Sequence, residues 1–200
     1  MPAAQKKLLR RVMKERRQAL FQSHPSAGIE VCSHFFNSFK LRPHLKIAGY
    51  WPWGSELDLK PLLYRFIDEG FECALPVITP EGMVFRKWTP ETPLITGPFT
   101  MLEPPPTAPL VTPDLIFVPL LAFDKDGHRL GYGQGHFDKF LHQRKAVTIG
   151  VGFSGQEVDK IPLQSHDFAL EYILTEKGLI RVEIFSKQIG RASCRERVYA

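Results

Sequence analysis

The sequence predicts an α/β protein: one domain on an open, mostly parallel sheet with helices on both faces, a Rossmann-like three-layer arrangement. Two observations carry that expectation. Short apolar runs, the clearest being Leu115-Ile116-Phe117-Val118, interleave along the chain with stretches of helical spacing. The run at 114–118 also passes straight into a glycine-rich loop and then into Phe137, Phe140 and Leu141, whose spacing starts a helix. Two hundred residues at 44% hydrophobic content suit a single domain with a full-sized core.

The elements follow in order. Residues 3–21 alternate basic and apolar at helical spacing, with Leu8, Leu9, Val12 and Met13 as an apolar stripe and Lys6, Arg10 and Lys14 stacked beside it. A second helix is expected after Pro25, with Ser26 near its cap and Val31, Phe35, Phe36 and Phe39 facing inward. Residues 46–51 read as a strand, 59–69 as a helix ending at Gly70, and 72–78 as another strand. Residues 83–88 pair with it through the Pro80-Glu81-Gly82 turn. Eight prolines between Thr89 and Pro113 favour an extended connection over a second domain. The strand 114–118, the glycine loop and a helix at 137–143 form one βα unit. Strands at 146–151 and 172–174 follow, then a helix or strand at 179–184.

Charge and composition narrow the function. The net charge is +5, but the last eleven residues supply two of those charges with three arginines against one glutamate. That tail, 190–200, has no amphipathic period, reads as a non-native or disordered extension, and is set apart from a domain at 1–189. The remaining charge is modest for a nucleic-acid binder, which needs a basic stripe with base-reading groups. No segment is long and apolar enough to cross a bilayer. Cys32, Cys73 and Cys194 form neither a disulfide framework nor a metal cluster. The expectation is a cytoplasmic protein, a monomer, without nucleic-acid or membrane partners.

The stretch from Phe123 to Asp138 carries the most chemistry. Four glycines lie within the nine positions 127–135, and the loop ends at a helix start, so several backbone N–H groups are open to a ligand such as phosphate. There is no Gly-Lys-Ser/Thr, and Gly131-x-Gly133-x-Gly135 is not the dinucleotide spacing. Arg129 lies within the loop and Asp138 just after it. A carboxylate beside a phosphate cradle repels the ligand unless a divalent cation stands between them. In open sheets ligands bind beyond the carboxyl ends of strands, where this loop and Trp51-Pro52-Trp53-Gly54-Ser55-Glu56 both fall.

Over residues 5–182 the chain resembles the 5-formyltetrahydrofolate cyclo-ligases. The most specific element is Gly127-x-Arg129-Leu130-Gly131-x-Gly133-x-Gly135 followed by Asp138. The Lys6…Arg10 pair, Glu56-x-Asp58 and Ile161-Pro162…His166-Asp167 accompany it in order. The resemblance implies an ATP-dependent, Mg²⁺-requiring ligase that converts 5-formyltetrahydrofolate to 5,10-methenyltetrahydrofolate, ADP and phosphate by phosphorylating the formyl oxygen. Its partners would be those small molecules, ATP serving as co-substrate.

Carried over by position, the resemblance implies ATP contacts at Lys6, Lys7, Leu8, Leu9 and Arg10, and at Arg129, Leu130, Gly131, Tyr132, Gly133, Gln134, Gly135, His136 and Phe137. It implies folate contacts at Trp51, Glu56 and Tyr132 to His136, with magnesium at Asp138 and Asp167. Arg129 is the expected catalytic residue, stabilising charge on the transferring phosphoryl group. Each has a plainer alternative: Arg129 as the partner of Asp124 or Asp126, the first helix as a solvated face, Trp51 as core, Glu56 as a surface acid. Where many family members carry two aromatics after the third glycine, this chain has His136-Phe137; Gln134 and Lys139 also depart from common choices. The rival function is a nucleotide- or folate-binding protein without turnover.

Overall fold

The computed structural model describes residues 2–143, 146–164 and 167–182. His166, residues 183–184 and the tail 190–200 therefore lie outside the described residues.

The helices are α1 (Pro2–Ser23), α2 (Ala27–Ser38), α3 (Lys60–Asp68) and α4 (His136–Gln143). The strands are β1 (Lys46–Ala48), β2 (Glu72–Thr79), β3 (Gly82–Trp88), β4 (Ile95–Thr96), β5 (Leu102–Glu103), β6 (Leu110–Val111), β7 (Leu115–Pro119), β8 (Ala122–Phe123), β9 (Arg129–Leu130), β10 (Val147–Val151), β11 (Tyr172–Thr175) and β12 (Gly178–Arg181). Eight strands form the main sheet in the order β12-β11-β10-β7-β1-β2-β3-β6. The five from β11 to β2 run parallel, and antiparallel strands close both edges.

Strands buried on both faces read as unbroken apolar runs, and β7 and β10 are buried almost throughout. One face carries Ile47, Leu75, Leu115, Phe117 and Ile149 against α2 and α3; Phe35 meets Phe39, Phe66 and Phe117 at ring-centroid distances of 4.9–5.3 Å. The other carries Ala48, Ile116 and Val118 against Leu141 and the partly buried Phe137 and Phe140 of α4. These are the three layers the sequence predicts.

The chain leaves β1 toward β2 on one side and leaves β7 toward β10 on the other. β1 and β7 are neighbours, so the strand order reverses between them, and that crevice is where an open sheet binds ligands.

Three local outcomes differ from the sequence reading. β1 stops at Ala48, three residues before Trp51; Gly49 still donates its N–H to the Ala74 carbonyl at 3.0 Å and lies under Leu59 and Leu63 with no room for a Cβ, and the chain turns at Gly54 and Ser55. The connection 89–113 contains paired pieces: its prolines leave intervals just long enough for β4 to pair with β5 and for β6 to extend the sheet edge beside β3. The largest difference is in α1. Leu8 and Val12 are 57% and 49% exposed, whereas Lys6 and Arg17 are 4% and 3% exposed. The helix is docked through Lys6, Leu9, Met13, Arg17 and Leu20, with Met13 packed on Leu121, Ala122, Leu130 and Ile161. Lys6, Arg10 and Arg17 turn inward because they meet polar partners in the crevice, whereas Lys7, Arg11, Lys14 and Arg16 are exposed.

Candidate active site

The glycine loop is held from below by an acid. Asp124, 1% exposed, accepts backbone N–H groups of Asp126, His128 and Ile161 through its two oxygens at 3.0–3.1 Å. It thereby shapes the turn between β8 and β9 and ties residue 161 to it. Asp124, Asp126 and His128 offer ligand atoms within 4.8 Å of one another, but Asp124 spends its lone pairs on the backbone, so the group serves the turn.

β9 carries Arg129 into the crevice. Its Nη1 donates to the Phe168 carbonyl at 3.0 Å and its Nη2 to Asp138 Oδ1 at 2.8 Å. Asp138, in the first turn of α4, also accepts the Phe168 N–H at 3.3 Å. Burial depresses the Arg129 pKa, and the carboxylates of Asp138 and Asp167 oppose that shift. The alternative pairing with Asp124 or Asp126 is not the one adopted.

From α1, Lys6 Nζ meets Asp167 Oδ2 at 2.5 Å and Gln164 Oε1 at 3.4 Å. Asp167 Oδ2 also accepts the Gln164 N–H at 2.8 Å. One turn further on, Arg10 Nε donates to the Gly131 carbonyl at 2.9 Å. Gly133 has φ +104° and lies against the Arg10 guanidinium, where a Cβ would stand 3.2 Å from Cζ. Only glycine lets the loop pass so close in that backbone conformation. Of the stretch 6–10, Lys6 faces Gln164 and Asp167, Leu9 and Arg10 face the loop, and Lys7 and Leu8 are exposed.

The loop after β1 closes the other wall. Glu56 is 6% exposed, and its Oε2 accepts the Trp53 N–H at 2.9 Å. Burial raises its pKa to about 7, against the opposing pull of the Trp53 N–H and Arg17. Trp51 packs against Trp88 at 5.5 Å, with Lys60 Nζ 5.7 Å from its ring centre, so it belongs with the core edge. Trp53 instead meets Tyr132 edge-on at 5.2 Å, joining this loop to the glycine loop across the crevice.

Arg17 completes the join. Its Nε donates to Ser55 Oγ at 3.1 Å and its Nη2 to the Tyr132 hydroxyl, while the guanidinium stands 5.2 Å from the Tyr132 ring centre. Sequence reading missed Arg17 and Trp53. The signal for Arg17 was present: 6, 10, 13, 17 and 20 follow one helical face.

In the rest of the loop, Gln134 is exposed, and Leu130 is buried beneath Met13. Gly135 has φ +70° and turns the chain into α4. His136 begins that helix, half-buried, and its pKa is lowered by burial and then by Lys139. Phe137 lies edge-on to Phe85 at 6.5 Å, so the aromatic at that position is anchored in the core.

The crevice thus brings two basic side chains of one helix, an arginine and a glycine loop to one side, and a buried acid to the other. Such a set suits a phosphorylated ligand beside a second, hydrogen-bonding one. The sequence profile of the 5-formyltetrahydrofolate cyclo-ligase family matches residues 2–176. The chain is 32% identical to the 5-formyltetrahydrofolate cyclo-ligase of Haemophilus influenzae over 163 residues, 76% of this chain and 87% of that one. It is 37% identical to that of Mycolicibacterium smegmatis over 150 residues, 66% of this chain and 77% of that one. The solved 5,10-methenyltetrahydrofolate synthetase of Aquifex aeolicus superposes with a TM-score of 0.74 at 28% identity, covering 94% of this chain and 97% of that one. The fold, the crevice and these likenesses agree, and the chain belongs to the 5-formyltetrahydrofolate cyclo-ligase family.

Proposed function

We propose that the crevice between β1 and β7 holds ATP along α1 and the glycine loop, with the folate against Glu56. The activity is that of the family: ATP-dependent closure of 5-formyltetrahydrofolate to 5,10-methenyltetrahydrofolate, with release of ADP and phosphate. The observation that carries the residue-level reading is the polar face of α1, which sets Lys6 beside Asp167 and Arg10 against Gly131 and Gly133 of the glycine loop.

A formamide carbon is a poor electrophile and its oxygen a poor leaving group. The formyl oxygen attacks the γ-phosphorus and ADP departs; N10 then attacks the activated carbon, loses its proton, and phosphate leaves with the oxygen. Transfer demands alignment and charge neutralisation rather than covalent help from the protein. Arg129 faces the developing phosphoryl charge, with its guanidinium orientation fixed by Asp138 and the Phe168 carbonyl. Lys6 and Arg10 take phosphate oxygens, and the loop N–H groups from 131 to 136 complete the cradle. Glu56 accepts hydrogen bonds from the pterin, and Trp53 and Tyr132 supply the aromatic edge beside it.

Asp138 and Asp167 would hold Mg²⁺. Their donor set fits: both are hard carboxylate oxygens close enough to Arg129 to act on its charge, and Mg²⁺ is ordinarily held by one or two carboxylates plus phosphate and water. The bonds to Arg129 and Lys6 fall on Oδ1 of Asp138 and Oδ2 of Asp167. When bound, the ion neutralises phosphate charge.

A reducing, cytoplasmic setting accords with the free thiols of Cys32 and Cys73. Oxygen-18 placed in the formyl group tests the phosphorylation step: the label should appear in the released phosphate. Label found in water overturns the phosphorylation step, and no ADP formed favours binding without turnover.

A further inference from the structure

Arg17 sits where a helix surface would not normally bury a cation. Its neighbours Arg16 and Gln18 are exposed, yet its own side chain is closed off between the loop after β1 and the glycine loop. Nε and Nη2 are spent on Ser55 and Tyr132, one on each wall of the crevice. Nη1 is buried and has no acceptor among the described residues, while Glu56 Oε1 stands 4.0 Å from it. A charge-assisted N–H···O contact closes to about 2.7–2.9 Å, so the pair is roughly an ångström short of bonding. A buried, unmade donor is costly and invites a change that satisfies it.

We propose that Arg17 is a positioning residue for folate recognition: it ties the β1 loop to the glycine loop and closes its spare Nη1 onto the Glu56 carboxylate when the folate engages that carboxylate. The proposal rests on the reading of Glu56 as a folate contact. Donors on the pterin favour the charged carboxylate, the charged carboxylate draws in Nη1, and the guanidinium keeps Glu56 aimed at its ligand. Because Nη2 is held by Tyr132, the same closure firms the glycine loop beside the nucleotide. The titratable groups around Glu56 are Arg17 from α1, Tyr132 from the glycine loop, and Tyr50 and Asp58 from its own segment.

The test is a double-mutant cycle of Arg17→Met and Glu56→Gln in the full chain, read as KM for 5-formyltetrahydrofolate and for ATP. With a charge-assisted contact at stake, Arg17→Met should raise the folate KM about tenfold or more and the ATP KM about twofold at most. In the Glu56→Gln background the added folate effect should largely vanish. The limb of kcat/KM for folate that reports Glu56 should move to higher pH in Arg17→Met, because a cation that favours the carboxylate is gone. Arg17→Lys, which keeps the charge, should return much of that limb. Unchanged folate KM in Glu56→Gln overturns the Glu56 reading and this proposal together. A large Glu56→Gln effect that multiplies in full with Arg17→Met overturns this proposal alone, as does equal weakening of both substrates with a matching fall in Tm. If Arg17→Met does not fold, Ser55→Ala, which frees Nε, should raise the folate KM in the same direction; no change there overturns the proposal.

Discussion

Arg129 and Asp138 are bonded at 2.8 Å across the glycine loop, one at the loop's entry on β9 and the other in the first turn of α4. The pair fixes where the loop begins and ends. It also keeps a buried guanidinium charged in a place where desolvation alone would weaken it.

Arg129→Ala should lower kcat by about a hundredfold or more, the scale for losing a donor aimed at transition-state charge. Arg129→Lys keeps a charge but loses the fork that reaches both Asp138 and the Phe168 carbonyl, so it should recover only part of the rate. Single-turnover ADP release measures both. A near-normal rate in Arg129→Ala would make the residue a loop anchor only.

Asp138→Asn keeps size and removes charge. Turnover should fall sharply and the Mg²⁺ concentration for half-maximal rate should rise, while equilibrium binding of folate survives. Unchanged Mg²⁺ dependence would restrict Asp138 to pairing with Arg129.

Arg10→Ala removes the contact to the Gly131 carbonyl and a cation beside Gly133. The KM for ATP should rise more than that for folate, and α1 should persist because alanine is the best helix former. Far-UV circular dichroism with steady-state kinetics checks both; equal weakening of both substrates with lost stability would assign the basic face to docking alone.

Glu56 gives a pH dependence with a definite sign. Its folded pKa of about 7 lies above the usual carboxylate value, so folding takes up a proton in the window between them. Its contribution favours the fold most below about pH 4.5 and is progressively lost as pH rises to about 7. Glu56→Gln should flatten this fall in unfolding midpoints measured from pH 5 to 8. An identical pH profile in the variant would show that the carboxyl titrates normally.

The sheet was legible because β2, β7 and β10 are dense apolar runs, and the glycine loop because Gly133 and Gly135 take backbone conformations open mainly to glycine. The docking face of α1 was not. Its charges and apolar residues share similar spacing, so periodicity alone favoured Leu8 and Val12, and only partners far along the chain reveal that Lys6 and Arg17 turn inward. Lys6 and Asp167 are 161 residues apart, and no local pattern couples them. The resemblance singled out Trp51, but in the fold Trp51 packs on Trp88 and Trp53 meets Tyr132, contacts made by residues far along the chain.

The most direct measurement follows ADP and the near-ultraviolet absorbance of the methenyl product in one reaction with Mg²⁺, ATP and 5-formyltetrahydrofolate. One ADP should form per methenyl product, with no ADP above background when the folate is omitted. A folded protein that binds both ligands yet releases no ADP, or releases it without regard to folate, would contradict the assignment of this crevice to ATP-driven ring closure.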